Sequence, residues 1–242
     1  MVQPKRKDGR IGNCCRLNIA FGGNMVGEKK ISVAVIRRLP RYFRYLYDLI
    51  RLEIRRISSK ELSERMGITA SQIRQDLNCF GGFGQQGYGY NVQSLYDEIG
   101  HILGVDRRFS CAIFGAGNMG NALANYENFQ RRGFDIIAIF DNNPDKVGTS
   151  INKIPVLHID EMESFVKQTH VDIAMLTVPN RTMPEITARV VVAGIIGIWN
   201  FSPTDLKLGK GIVVENVHLS DSLMVLGYRL MDQLREDMHK KK

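Results

Sequence analysis

Two periodicities divide this chain. From Ile31 onward the apolar residues fall at three- and four-residue spacing: Leu39, Tyr42, Phe43, Leu46, Leu49, Ile50 and Ile54, with Arg41, Arg44, Arg51 and Arg55 between them. That is one amphipathic helix, and Pro40 suits its first turn. Ser58 and Glu61 then form a capping box for a short helix through Met66, and Gly67 suits the left-handed residue that ends it. Thr69-Ala70-Ser71-Gln72 reads as a second capping box, opening a helix to about Asn78. Two short helices separated by a Gly-containing turn predict a helix-turn-helix. The run Gly81 to Tyr90 alternates glycine with aromatic and polar residues, which suits a β-ribbon placed as a wing. One more helix, with Leu95, Ile99, Ile102 and Leu103 on one face, leads to a linker at 104–108.

Beyond the linker the pattern changes to short β-branched runs at Cys111–Phe114, Asp135–Phe140, Ile173–Val178, Ile195–Trp199 and Ile212–Val217, with helical patterns in most gaps. Buried strands alternating with helices predict a doubly wound parallel sheet. The last stretch carries Leu223, Leu226, Leu230, Leu234 and Met238 as a helical stripe, fitted either to its own sheet or to a partner helix across a dimer. The expected organisation is therefore a leader at 1–24, with Met25 as the start, a winged-helix domain at 25–104, a Rossmann-like domain at 105–219 and a terminal dimerisation helix at 220–242.

Charge follows this division. Of 33 Lys/Arg and 25 Asp/Glu, 19 and 10 lie within 1–108, leaving 14 and 15 beyond it. The excess positive charge marks the first module as a polyanion binder. No apolar run is long enough to span a bilayer, the start lacks the apolar core of a signal peptide, and the four cysteines match no paired metal spacing. A cytoplasmic, metal-free protein with free thiols is expected.

Gly115-Ala116-Gly117-Asn118-Met119-Gly120 is a GxGxxG run between a strand and a helix. Gly115 makes the turn, Gly117 admits a pyrophosphate, and Gly120 lets the helix pack on the strand. Asp141, at the end of the next strand, is placed for an adenosine ribose and against a 2′-phosphate, which favours NAD(H). Thr177-Val178-Pro179 and Asn200-Phe201-Ser202 end later strands and are candidate nicotinamide contacts, or ordinary turns around Pro179 and Pro203. A dehydrogenase needs an acid or base beside the nicotinamide, and only His218 lies near a strand's carboxyl end. About 25 residues follow the last strand, too few for a catalytic domain. A ligand-controlled transcription factor is the leading expectation. An NAD-dependent oxidoreductase, a CoA-binding Rossmann protein and a DNA-binding scaffold with a structural nucleotide stay open.

The stretches RRLPRYFRYL, ISSKELSERMGITASQIRQDLNCFG, GQQGYGYNV, IFGAGNMGNAL, TVP, GIWNFSP and VENV together resemble the Rex family of bacterial redox-sensing repressors, across Lys29 to Met238. The resemblance implies a homodimer with the last helix swapped, bound to an A·T-rich inverted repeat of double-stranded operator DNA. It implies release by NADH, with NAD⁺ competing for the same site and permitting DNA binding. It places Ser71, Gln72 and Arg74 at the major groove, and Gln85, Gln86 and Tyr88 near phosphates and the minor groove. Ser58, Ser59, Thr69 and Gly87 complete the implied DNA surface. Arg reads guanine and Gln reads adenine, although Arg74 on a phosphate would tighten binding without specifying sequence. The implied switch residues are Arg44, Tyr126 and His218. His218 departs from the family's Asp, and an imidazole cannot form that carboxylate's ion pair with Arg.

Overall fold

The computed structural model describes residues 31–79, 84–85 and 88–240, in two compact units that meet between Arg107 and Arg108. The expected leader at 1–24 and the start at Met25 lie outside the described residues.

The first unit runs α1 (Val33–Arg51), β1 (Arg56–Ile57), α2 (Ser59–Met66), α3 (Ala70–Asn78), β2 (Gly84–Gln85), β3 (Gly89–Asn91) and α4 (Val92–Leu103). Its core gathers Leu39, Tyr42, Leu46 and Leu49 of α1 with Leu62, Met66, Ile73, Leu77, Leu95 and Ile99. Ser32 caps α1, accepting from Val35 N, so Pro40 lies inside the helix and not in its first turn. An interior proline forfeits a hydrogen bond at a cost of about 3 kcal/mol. The buried stripe already begins at Val35, and continuing it through Pro40 buries more than that loss.

Ser58 and Glu61 form the expected capping box, and Gly67 ends α2 in the left-handed region at φ 62°. The second box is only half formed. Thr69 accepts from Gln72 N, but the Gln72 amide donates to Asp76 Oδ1 at 2.8 Å instead of returning to the cap. The buried carboxylate one turn on draws it there. Asp76 has no exposed surface and also accepts from Arg38 Nε and Nη2, each at 2.7 Å, and from Tyr42 OH at 2.9 Å. Burial by itself would raise its pKa. The donors from Arg38, Gln72 and Tyr42 outweigh burial and hold it below the usual carboxylate value. α3 is thereby tied to α1 by charge as well as by packing.

β3 pairs antiparallel with β2, forming the expected ribbon, and also with β1, giving the order β1-β3-β2. The two-residue β1 is too short to show a period in sequence.

The second unit contains β4 (Phe109–Phe114), α5 (Asn118–Ala124), α6 (Asn128–Arg131), β5 (Phe134–Asp141), β6 (Ser150–Ile151), β7 (Ile154–His158), α7 (Met162–Gln168), β8 (Ile173–Leu176), α8 (Met183–Val192), β9 (Gly197–Asn200), β10 (Val213–Asn216) and α9 (Leu219–Lys240). The sheet order is β10-β9-β8-β4-β5-β7-β6, parallel except for β6. Alternate residues of β4 enter two cores, Ala112 and Phe114 in one, Cys111 and Ile113 in the other, as a sheet covered on both faces requires. The α9 stripe does not pack on its own sheet: Leu223, Leu226 and Leu230 are 68%, 60% and 57% exposed.

Where β4 meets α5, Gly115 turns at φ 104° and donates to Phe140 O at 2.7 Å. A Cβ on Gly120 would stand 1.9 Å from Gly115 O, whereas one on Gly117 would meet nothing within 4 Å. Gly120→Ala is therefore expected to destabilise the second unit by about 3 kcal/mol or more, through forced backbone displacement. Gly117→Ala is expected to leave the melting temperature within about 2 °C. Calorimetric melting of both variants checks the contrast.

Asp76→Ala leaves the Arg38 guanidinium without its partner and is expected to cost about 3 kcal/mol in urea unfolding. Because the folded-state pKa of Asp76 is lowered, its stabilisation is fully present above the unfolded value of about 3.9 and disappears as pH falls through the lower folded value. Acid titration of stability should accordingly lose part of its slope in Asp76→Asn.

Candidate functional site

The second unit brings the glycine loop and Asp141 together at the carboxyl ends of β4 and β5. Gly117 is the N-cap of α5, and no side chain caps that helix. The space above Gly117 is open, so a phosphate has both room and first-turn amides from Asn118, Met119 and Gly120. The residues present fit the pyrophosphate of a dinucleotide. The Asp141 carboxylate accepts from Ala116 N at 2.6 Å and from Asn143 N at 2.8 Å, keeping lone pairs for a ribose hydroxyl. Lys146 Nζ reaches the same residue from the other side, donating to Ala116 O at 2.9 Å. Sequence reasoning missed Lys146, because nothing in its neighbourhood fits a motif and only the folded turn brings it back to the loop.

The later strand ends are more tightly engaged. Thr177 donates its hydroxyl to Phe114 O and Gly115 O, both at 2.8 Å, stitching β8 to the glycine turn. Half-buried Val178 leads to exposed Pro179, whose carbonyl accepts from Thr182 and Met183 at the start of α8. Asn200 has no exposed surface; its amide serves Thr204 O, Asn216 Oδ1 and Ser202 N. Ser202 is buried against Asn180 Oδ1. Asn200 and Ser202 thus build the loop that carries the half-buried Phe201. The Phe201 ring lies 4.5 Å from Trp199, which meets Phe129 at 5.5 Å, and Phe129 meets Tyr126 at 4.8 Å. Phe129, Trp199 and Phe201 share a core with Ala116 and Met119 and form an apolar wall beside the glycine loop, with the exposed Tyr126 at its edge. The rings come from in and around α6 and β9, with Tyr126 just before the helix and Phe201 just after the strand, and their convergence had no signal in the sequence.

In the first unit, Ser58 is committed to its capping box, and Thr69 caps α3. Ser71 and Arg74 are exposed on α3, with Arg74 Nη1 donating to Ser59 Oγ at 2.9 Å across the two helices. Gln72 is half-buried and engaged by Asp76. Gln85 lies on β2, Tyr88 is 70% exposed, and Gln86 and Gly87 lie outside the described residues. Arg56, missed in sequence, donates to Tyr88 O at 3.3 Å and stands 5.9 Å from its ring. It braces the ribbon from β1.

Of the three expected switch residues, Arg44 is exposed on α1 and Tyr126 is 52% exposed. His218, just before α9, bonds through Nε2 to Asp205 Oδ1 at 2.8 Å. Among the described residues no cluster of three or more His, Cys, Asp or Glu could hold a metal, and no helix is long and apolar enough to cross a membrane. Cys111 is fully buried, and burial pushes its thiol up to about 12, closing thiolate chemistry there.

Two domain families match this chain: a putative DNA-binding protein N-terminus over residues 30–78, and a CoA binding domain over residues 106–204. The redox-sensing transcriptional repressor Rex of Clostridioides difficile (strain 630) is 56% identical over 208 residues, 86% of this chain and 99% of that protein. Its counterpart in Caldicellulosiruptor saccharolyticus is 54% identical over 212 residues, 88% and 97% of the two. Among solved structures, the Rex-family repressor RSP in complex with β-NAD⁺ and operator DNA is similar at a TM-score of 0.80 and 49% identity, covering 89% of this chain and 99% of RSP. RSP in complex with β-NADH gives 0.79 and 47%, covering 87% and 100%. Relatives that match nearly end to end are repressors, so the enzyme reading falls away, and the CoA label describes a domain type and not the whole chain's kind. At 54–56% identity to these repressors over 86–88% of its length, the chain belongs to the Rex family of redox-sensing transcriptional repressors.

Proposed function

We propose that this chain is a cytoplasmic, homodimeric repressor that reads the NADH/NAD⁺ ratio and binds an A·T-rich inverted repeat when NADH is scarce. The observation that carries the reading is the pairing in one chain of an exposed Ser59–Arg74 helix face with a glycine loop open above Gly117. The RSP structures support it, one holding NAD⁺ with operator DNA and another holding NADH.

On the DNA side, Ser71 and Arg74 project from α3 toward base edges, with Ser58, Ser59 and Thr69 at the helix starts near phosphates. Tyr88 is exposed to reach the flanking backbone, and the family resemblance adds Gln85, Gln86 and Gly87 to the same contact. Gln72 acts through Asp76, fixing α3, and reads a base only if it exchanges that bond.

On the cofactor side, the amides of Ala116 to Gly120 hold the pyrophosphate and Asp141 the adenosine ribose, contacts common to both redox states. Discrimination then belongs to the nicotinamide end, where Thr177, Val178, Pro179 and Phe201 stand with Trp199 and Met119. Burying a charged ring there costs more than burying a neutral one, which favours NADH. Titration calorimetry is expected to give NADH at least about tenfold tighter than NAD⁺, and equal affinities would refute an apolar discriminator.

Arg44, Tyr126 and His218 are the residues assigned to the switch in this reading. With Nε2–H donated to Asp205, His218 keeps Nδ1 as an acceptor, so it can take an Arg N–H where the family's carboxylate would. Asp205→Asn removes that tautomer lock.

Fluorescence anisotropy on labelled A·T-rich inverted-repeat DNA, at one salt concentration, tests the whole reading. NADH should weaken DNA binding about 5–150-fold per coupled site, NAD⁺ should not, and Asp205→Asn should shrink the NADH effect while leaving DNA affinity without ligand intact. DNA affinity indifferent to both nucleotides would make the Rossmann-like unit a structural part.

A further inference from the structure

The loops that follow β8 and β9 are joined to the start of α9 by a continuous set of side-chain amide bonds. Asn200 and Asn216 are register partners at the carboxyl ends of β9 and β10, and Asn200 Nδ2 donates to Asn216 Oδ1 at 2.8 Å. The same Nδ2 donates to Thr204 O at 2.9 Å, and Asn200 Oδ1 accepts from Ser202 N at 3.0 Å. Asn216 grips Leu206 in both directions: its Oδ1 accepts from Leu206 N at 3.0 Å, and its Nδ2 donates to Leu206 O at 3.3 Å. Asp205 is thereby held between two anchored carbonyls, and its carboxylate accepts from His218 Nε2 at 2.8 Å. At the other end, Ser202 Oγ donates to Asn180 Oδ1 and accepts from Thr204 N at 3.3 Å. Asn180 directly follows Pro179, at the nicotinamide end of the site.

Asn200 has no exposed surface, and both its amide hydrogens and its oxygen are used. A buried amide so engaged has one orientation, because any other leaves polar groups unpaired. A shift of the turn at Pro179 and Asn180 must therefore break the Ser202 bond or carry the 200–206 loop with it. That loop holds Phe201 at its near end and Asp205 at its far end. The glycine-loop contacts are common to both redox states, whereas this network begins where the two states differ.

We propose that Asn180 and Asn216 are positioning residues of the switch. Through Ser202 and Asn200 they tie the nicotinamide-end turn to Asp205, and so to His218 at the start of α9. The redox state of the cofactor is passed on along this network and not through the glycine loop. The proposal rests on the sensor reading above, whose failure shows separately in the same measurements.

The test takes the full chain and measures NADH affinity by calorimetry, DNA affinity without ligand by anisotropy, and the factor by which saturating NADH weakens DNA binding. Melting curves control for folding. Asn180→Ala removes the acceptor of Ser202 at an exposed position, and Asn216→Ala releases Leu206. Each should reduce the coupling factor by at least about threefold while NADH affinity and ligand-free DNA affinity stay within about twofold, and the effect of DNA on NADH affinity should fall by the same factor. A purely structural role would lower the melting temperature and leave that factor alone. Asn180→Asp keeps an oxygen that accepts from Ser202 and should hold coupling within about twofold of wild type. Added to Asp205→Asn, Asn216→Ala should lower coupling by less than about twofold more, because members of one network are not additive. Three results overturn the proposal: full coupling in a folded Asn180→Ala or Asn216→Ala variant, an Asn180→Asp variant that behaves like Asn180→Ala, or additive losses with Asp205→Asn. A folded wild type whose DNA affinity ignores NADH overturns the sensor reading instead.

Discussion

A carboxylate without exposed surface, on the helix whose outer face carries Ser71 and Arg74, constrains the first unit more tightly than any apolar contact does. Apolar packing tolerates rotation of a short helix, because one leucine surface resembles another. Asp76 does not tolerate it. Its charge is acceptable in the interior only while Arg38, Tyr42 and Gln72 all reach it, and those donors lie on α1 and one turn away on α3. A small rotation of α3 would strand a buried charge. The angle at which Arg74 leaves the surface is thus set by a bond on the opposite side of the same helix. A nine-residue helix gains little from propensity alone, so its fixed orientation comes from the tie to α1.

The second unit solves a related problem with small residues. An open loop able to take a pyrophosphate must expose its amides and yet keep a fixed shape. Gly120 fixes the shape by letting α5 approach the turn until no Cβ fits, Thr177 bonds two loop carbonyls, and Asp141 takes the Ala116 amide. None of these contacts changes with the redox state of a nicotinamide. A sensor built on them must place its discrimination elsewhere, and the ring wall of Trp199, Phe201 and Phe129 is the apolar surface beside the loop.

What was legible in the sequence was local or periodic. The Ser58–Glu61 box, the Gly67 stop, the five parallel strands and the GxGxxG turn each follow from a few neighbouring residues, and the structure has them. Pro40 misled because the same residue suits a first turn, and the stripe that carries the helix through it is a tertiary quantity. Gln72 misled because it lies within reach of both the Thr69 cap three residues back and Asp76 four residues on, and burial decides between them. The β6–β7 hairpin escaped because its turn, Asn152-Lys153, holds two positive φ angles without a glycine to announce them. Lys146, Asp205 and the aromatic wall were invisible for one reason: each acts on a residue far along the chain.

The bare stripe on α9 bears on how the two units serve one purpose. A helix of 22 residues with most of its large apolar side chains exposed has little to hold it in an isolated subunit. A second copy of the same helix offers a matching stripe, and an interface that uses the same surface twice has a two-fold axis. An inverted repeat has that axis too, with half-sites spaced by whole helical turns of about 34 Å. In the homodimer proposed above, the two-fold axis set by α9 is also the axis of the operator, and the start of α9 lies on the element that sets it. His218 and Asp205 stand at that start. Because coupling is reciprocal, if NADH weakens DNA binding by a given factor, DNA must weaken NADH binding by the same factor.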